Sequence, residues 1–230
     1  GWVNDTQTVI IDSQDGISND GDFSFSGIAM GDSLEEVINR FGEPDRIDSS
    51  KYGFQWYIYN SDYSKYIQIG IANDKVVGIY SNSKIIVSKN GIDIGTSRLE
   101  VNNIYGNALD SIVKGNTSYE IDTKESDTYL MDDAYTTIFY DLFDGAKVTS
   151  IMQIDKSVEE GFDSYYGENT PELVTSYEMQ IFDISNSLRV REGLTPFVYS
   201  ESASNVARDH SKDMAERNFF AHDNPDGKSP

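Results

Sequence analysis

Gly27-Ile28-Ala29-Met30-Gly31-Asp32-Ser33-Leu34-Glu35-Glu36-Val37 returns further along the chain as Gly91-Ile92-Asp93-Ile94-Gly95-Thr96-Ser97-Arg98-Leu99-Glu100-Val101. The correspondence still holds at Phe41-Gly42 against Tyr105-Gly106. Self-similarity of this kind marks a structural unit used twice. Each copy carries a capping box, Ser33 with Glu36 and Ser97 with Glu100. The serine oxygen accepts a free backbone N–H of the first turn, while the glutamate reaches back to the cap N–H. An apolar pair at i and i+4 follows, Val37 with Phe41 and Val101 with Tyr105, giving each helix one face to bury. Gly42 and Gly106 then end the helices, since glycine accepts the left-handed backbone common at that position. Two short capped helices of one design are predicted.

Strand-like segments follow each helix: Phe54–Tyr59, Tyr66–Ile71 and Lys75–Tyr80 in the first copy, Tyr135–Asp141 and Lys147–Ile154 in the second, with a weaker strand near Tyr119. Asn73-Asp74 and Asp144-Gly145 stand where hairpin turns are needed. Lys75-Val76-Val77-Gly78-Ile79 corresponds to Lys147-Val148-Thr149-Ser150-Ile151, so the second copy is the longer. Each unit reads as one helix on a small antiparallel sheet, and the two together make an α+β domain over residues 25–158.

Residues 1–24, rich in Asp, Ser, Asn and Gly, read as a flexible lead-in. Residues 159–171 read as a linker, with Glu159, Glu160, Gly161, Gly167 and Glu168 ahead of Thr170-Pro171. Beyond it the pattern turns helical. Tyr177, Ile181, Ile184 and Leu188 form one apolar stripe, and Gly193 ends that helix behind Arg189 and Arg191, charges suited to its C-terminus. A second helix runs from about Ser200 to Asn218, with Ala203, Ala207, His210 and Met214 on its stripe.

Composition narrows the functional classes. The 230 residues carry a formal net charge of −21, which opposes binding to nucleic acid or anionic lipid and keeps an exposed protein soluble. A 38% hydrophobic fraction with 15 Tyr and 11 Phe suffices for packed cores. There is no cysteine, hence no disulfide or thiol chemistry. No apolar run reaches the ~18 residues of a membrane span. The chain opens on Gly1-Trp2 rather than Met, as expected of a polypeptide cut from a longer one.

Asn186-Ser187-Leu188-Arg189, Gly193-Leu194-Thr195-Pro196-Phe197 and Ala207-Arg208-Asp209-His210-Ser211-Lys212-Asp213-Met214-Ala215, continued by Phe219-Phe220-Ala221-His222-Asp223-Asn224-Pro225-Asp226-Gly227-Lys228-Ser229-Pro230, resemble the bacterial branch of the CAP superfamily, which comprises cysteine-rich secretory, antigen 5 and pathogenesis-related proteins. The duplicated upstream unit resembles the CAP-associated N-terminal domain of Gram-positive secreted proteins, and its architecture is similar to that of β-lactamase-inhibitor protein, an analogy of fold only. The resemblance implies tandem helix-plus-antiparallel-sheet repeats followed, over 172–230, by the first two helices of an α-β-α sandwich CAP domain. It implies an extracellular or cell-surface location. In the family the sandwich carries a cleft of two histidines and two acidic residues, which in some members binds a divalent metal such as zinc. By motif His222 matches the first cleft histidine. The other three positions belong to segments beyond Pro230, so the resemblance implies a CAP domain truncated in this chain.

One imidazole is not a metal site, which needs three or four ligands. No catalytic or cofactor-binding residue is therefore assigned, and His222 is a metal ligand only in an intact domain. The two amphipathic helices without their sheet leave apolar stripes wet, forgoing roughly 1.5–3 kcal/mol per large side chain. They pack on the repeat domain, self-associate with another copy, or stay partly disordered. His210, on a stripe, reads as a packing histidine; Ser211 beside it points away on the helix. Asp223 to Gly227 reads as a turn, because it lacks the alternating ligands and final Glu of a calcium loop. Tyr52, Tyr57, Tyr59, Tyr63 and Tyr66 are core and sheet surface or a ligand-binding face. The function expected is non-catalytic recognition of an extracellular or cell-envelope ligand. The alternatives are a metal-assisted extracellular hydrolase acting through the completed cleft and an inhibitor-like module.

Overall fold

Ser33 and Ser97 each close a complete capping box. The Glu36 N–H donates to Ser33 Oγ at 3.2 Å and the Ser33 N–H to the Glu36 carboxylate at 2.7 Å; the same bonds at the second site measure 3.3 and 3.0 Å. The helices that follow are α1, Leu34–Phe41, and α2, Arg98–Tyr105. Both bury one valine completely, Val37 and Val101. The computed structural model describes residues 21–121 and 123–229. Most of the expected lead-in, and Pro230, lie outside the described residues. The last residues of that lead-in are not loose, for Phe23 is buried in strand β1, Phe23–Phe25.

The first half continues as β2 (Arg46–Ser49), β3 (Gln55–Tyr59), β4 (Ile67–Ala72), β5 (Lys75–Ser81) and β6 (Ile86–Ser88). The second comprises β7 (Ser111–Lys114), β8 (Thr117–Glu120), β9 (Ser126–Met131), β10 (Ala134–Asp141) and β11 (Lys147–Asp155). Seven strands form one antiparallel sheet in the order β2-β3-β4-β5-β11-β10-β9, while β1-β6 and β7-β8 pair separately. Hairpins turn at Asn73-Asp74 and Gly145-Ala146, and also at Asp132-Asp133, all with positive φ. That geometry matches the twist of the flanking strands. β5 and β11 meet at the sheet's centre, Ile151 opposite Ser81 and Ile154 opposite Gly78. Equivalent bonds tie each helix's leading turn to one of these strands. Gly31 donates to Val76 O and Val76 to Asp32 O, while Gly95 donates to Val148 O and Val148 to Thr96 O. α1 and α2 consequently lie on one face, over a core that includes Ile69, Ile79, Ile138 and Ile151.

The opposite face holds a second cluster, Phe54, Trp56, Ile58, Tyr66 and Ile154. Gly70 and Gly78 stand opposite each other across β4 and β5 and let the rings of Phe54 and Trp56 lie close against the sheet. Three helices follow: α3 (Lys156–Gly161), α4 (Pro171–Arg191) and α5 (Glu201–Arg217). The expected linker over 159–171 thus begins inside a helix, and its Glu159 is buried.

α4 docks against the outer strands of the first half, and the face it uses corrects the sequence expectation. Its buried residues include Ser176, Gln180, Asp183 and Ser187, a polar stripe with helical spacing beside the apolar one. The Ser49 N–H donates to Ser176 Oγ at 2.9 Å, Gln180 donates to Asp48 at 3.1 Å, and Ser187 donates to Asn82 at 2.8 Å. Asp183, only 1% exposed, accepts from Arg46, Asn60 and Tyr63 at 2.7, 2.9 and 2.9 Å. Of the predicted stripe, Ile184 packs on the second cluster, whereas Ile181 is 66% exposed. α5 buries none of its residues and is held to α4 mainly by Arg208, which donates to Glu178 at 2.7 Å.

Two stability predictions follow from this packing. A Cβ added at Gly70 would stand 2.5 Å from the Phe54 ring, so Gly70→Ala is expected to cost about 1–3 kcal/mol through overpacking, read from the urea midpoint. Asp183→Ala strands Asn60 and Tyr63 and removes one partner of the partly exposed Arg46. It should cost about 2–4 kcal/mol, with amide exchange rising across residues 171–191 while β4, β5 and β11 stay protected.

Candidate functional site

His222 lies exposed beyond α5. Asn218 closes that helix in the left-handed conformation, and the ring of Phe219 then meets His210 edge-on at 5.9 Å. His210 Nε2 bonds the Ala221 carbonyl at 2.9 Å, so this histidine packs and anchors the turn that carries its neighbour. Asn224 braces the far side by accepting the N–H groups of Asp226 and Lys228 at 3.0 and 2.9 Å. The two histidines are near in the chain, but the His210 nitrogen is engaged with backbone. Among the described residues no three His, Cys, Asp or Glu side chains form a group able to hold a metal ion. The residues present therefore do not make up the three- or four-ligand set that zinc takes.

A larger concavity occupies the other half of the molecule. α4 packs mainly on the first half of the second sheet face, reaching β11 through Arg191 at Thr149, and beside its N-terminal turns that face opens over β9, β10 and β11 into a cleft of about 600 Å³. Tyr135, Thr137, Phe139, Met152 and Ile154 line its sheet side. The β7–β8 hairpin contributes Ile112, Lys114 and Tyr119, and the segment before α4 brings Tyr165 and Tyr166. Gly167 sets that segment's position. A Cβ there would fall 2.8 Å from both Lys51 Cβ and Leu173 Cδ2, so only glycine permits the approach.

Two lysines line the cleft in different electrical states. Lys114 is 6% exposed and forms an ion pair with buried Glu159, which also accepts from the Tyr52 hydroxyl. Its ammonium lies 5.1 Å from the Phe162 ring centroid and 5.2 Å from that of Tyr119. Burial and the Glu159 charge push the Tyr52 hydroxyl far above its ordinary range, keeping it a neutral donor. Burial and the Glu160 carboxylate likewise raise Tyr135 to about 12. Lys51 Nζ sits 4.9, 5.6 and 5.7 Å from the rings of Tyr52, Phe162 and Tyr165, and donates to the Tyr165 carbonyl at 3.4 Å. Burial holds its ammonium below the ordinary lysine value; Glu159 opposes that shift and Lys114 adds to it. Among the described residues no carboxylate lies within ion-pair distance of Lys51.

Such a cleft can enclose a small ligand, since cavities of roughly 300–1,000 Å³ with an apolar lining and a few placed polar groups are the usual form of binding sites. Sequence reasoning singled out His222, offered Tyr52 only within a group of strand tyrosines as core or ligand-binding face, and missed Lys51, Lys114 and the rest of this lining. The available signal was a Tyr165-Tyr166 pair and isolated lysines in a strongly acidic chain, and nothing in their spacing brings them together.

A family model for the CAP-associated N-terminal domain matches residues 30–165, and one for the cysteine-rich secretory protein family, CAP, matches residues 182–230. The chain is 33% identical over 214 residues to the Bacillus subtilis (strain 168) "Uncharacterized membrane protein YlbC", covering 84% of this chain and 61% of that protein. It therefore spans less than two thirds of that relative. A second B. subtilis protein, "Uncharacterized protein YkwD", is 36% identical over 62 residues, 27% of this chain and 24% of that one. Among solved structures, an extracellular protein containing an SCP domain from Bacillus anthracis str. Ames superposes with a TM-score of 0.72 at 27% identity, covering 97% of this chain and 76% of that one. A cysteine-rich secretory protein from Staphylococcus aureus Mu50 shares the fold, with a TM-score of 0.66 at 16% identity over 85% of this chain and 70% of that one.

Glu159→Gln would leave the Lys114 ammonium buried without its counter-charge, at an expected cost of about 3–5 kcal/mol. Lys114→Met combined with Glu159→Leu should recover most of that loss, as measured by chemical denaturation of the three proteins side by side.

Proposed function

This chain belongs to the family in which a CAP-associated N-terminal domain is joined to a CAP domain, and on that premise we propose that it is a secreted or cell-envelope recognition protein acting without catalysis. The cleft over β9, β10 and β11 carries this reading. It is wide enough for a ligand, is rimmed by the exposed rings of Tyr165, Tyr166 and Tyr177, and is set on a sheet rather than on loops alone. Aromatic side chains of this kind supply contact area at low cost in conformational entropy. An extracytoplasmic location is supported by the B. anthracis relative, whose title describes an extracellular protein, and by YlbC, named as a membrane protein.

The N-terminal domain is a tandem duplication in this reading, one capped helix and one part of the common sheet per copy, similar in plan to β-lactamase-inhibitor protein. The matching bonds of Val76 and Val148 to the two helix lead-ins support it. α4 and α5 are the opening helices of the CAP sandwich, and exposed Ile181 is apolar surface suited to packing within that domain. His222 is then one ligand of the CAP cleft. The polar docking of α4 makes the two domains one unit, so the N-terminal domain positions the CAP domain relative to whatever it binds. No observation favours the hydrolase or inhibitor alternatives.

The test is retention of the purified chain on washed Gram-positive cell envelopes, compared with a Tyr166→Ala/Tyr177→Ala variant. Both side chains are exposed, so the variant is expected to fold. Losing two aromatic anchors should reduce retention roughly tenfold. Equal retention of the two proteins, or none of either, would count decisively against recognition through this cleft.

A further inference from the structure

We propose that the cleft takes a short peptide with apolar side chains and holds its C-terminal carboxylate on the Lys51 ammonium. The inference rests on the recognition reading and names the ligand class. The argument begins with charge. The chain carries 39 acidic residues against 18 Lys and Arg, so a lysine without a carboxylate partner is conspicuous when it is half-buried. Lys114, in the same cleft, has Glu159; among the described residues Lys51 has three rings and one backbone carbonyl. Cation–π contacts steady an ammonium but leave its charge unneutralised. An incoming carboxylate would form the charge-assisted bonds that the site lacks and would relieve the burial penalty on the lysine.

The rest of the lining selects the body of the ligand. Phe139 and Met152 offer apolar surface, backed by buried Ile112, Ile154 and Leu173, which suits aliphatic or aromatic side chains better than a sugar. Thr123, Ser126, Thr128 and Thr137 line the same space, and the last two hydroxyls lie 3.0 Å apart with hydrogen-bonding capacity to spare. Thr123 and Ser126 pair in the same way at 2.8 Å, so each hydroxyl keeps one partner under an alkyl chain, and peptide N–H groups would in addition use the spare acceptor lone pairs. A cation, an apolar floor and a band of hydroxyls thus match a peptide's terminus, side chains and backbone in turn.

Titration calorimetry on the whole chain tests this with three probes: N-acetyl-Leu-Leu-Phe with a free carboxylate, the same tripeptide as its C-terminal amide, and dodecanoate. The free acid should bind at least about tenfold more tightly than the amide, a difference typical of one charged partner in a shielded site. Lys51→Gln should abolish that difference while leaving residual binding. The acid–amide comparison on the unmodified protein needs no variant to fold. Equal affinity for acid and amide overturns the Lys51 anchor, and dodecanoate binding as tightly as the peptide acid overturns the peptide assignment. If no probe binds while envelope retention persists and depends on Tyr166 and Tyr177, the peptide inference falls and the recognition reading stands. Failure of retention as well removes both.

Discussion

Antiparallel pairing of β5 with β11 is the contact on which the rest of the molecule depends. It runs from Ile151 opposite Ser81 to Ile154 opposite Gly78 and joins two halves that otherwise meet mainly through the cores on either side. Side chains alternate across a strand, so register decides which residues face which layer. A slip of one position would turn Ile151 away from α1 and α2 and bring Met152 and Ile154 into the wrong layer. The placement of the capped helices, the aromatic layer packed on Gly70 and Gly78, and the sheet side of the cleft all follow from this one register.

The two faces of the sheet are finished differently. One is closed by α1 and α2 with branched aliphatic residues, a dense core of the kind that tolerates little change in volume. The other is closed over the first half by Phe54, Trp56 and α4, and is left open over the second. The asymmetry arises because α4 is bound at β2 and at the turn near Tyr63, well to one side of the sheet. The cleft is the part of that face which the N-terminal turns of α4, the segment before it and the β7–β8 hairpin wall in without filling.

Much of this was legible in the sequence. Capping boxes and glycine stops located α1 and α2, and alternation located β3, β4, β5, β10 and β11, because local chemistry sets those features. Strand β2, Arg46-Ile47-Asp48-Ser49, has no such alternation; its Asp48 is buried because Arg46 and Gln180 hold it. α3 was hidden in an acidic stretch whose Glu159 folds inward to meet Lys114. On α4 the periodicity pointed to Tyr177, Ile181, Ile184 and Leu188, yet Ser176, Gln180, Asp183 and Ser187 run at the same spacing one residue back. Hydrophobicity ranks the first stripe above the second, and only the partners on the opposing strands reverse that order. The cleft was illegible for a related reason: its residues come from separate elements and acquire meaning only in each other's company.

The chemistry of the α4 seam has a bearing on how the protein survives stress. A joint made of Asp183, Gln180, Ser176 and Ser187 exposes groups that water readily solvates when it parts. Parting at that seam would therefore bare mostly solvatable groups, with Leu173, Ile184 and the edge of the Phe54–Trp56 cluster as its apolar share, whereas rupture of the β5–β11 centre would expose the aliphatic core. The consequence is a joint whose parting is answered by water at most of its contacts, unlike the sheet centre, where no solvent contact replaces what is lost.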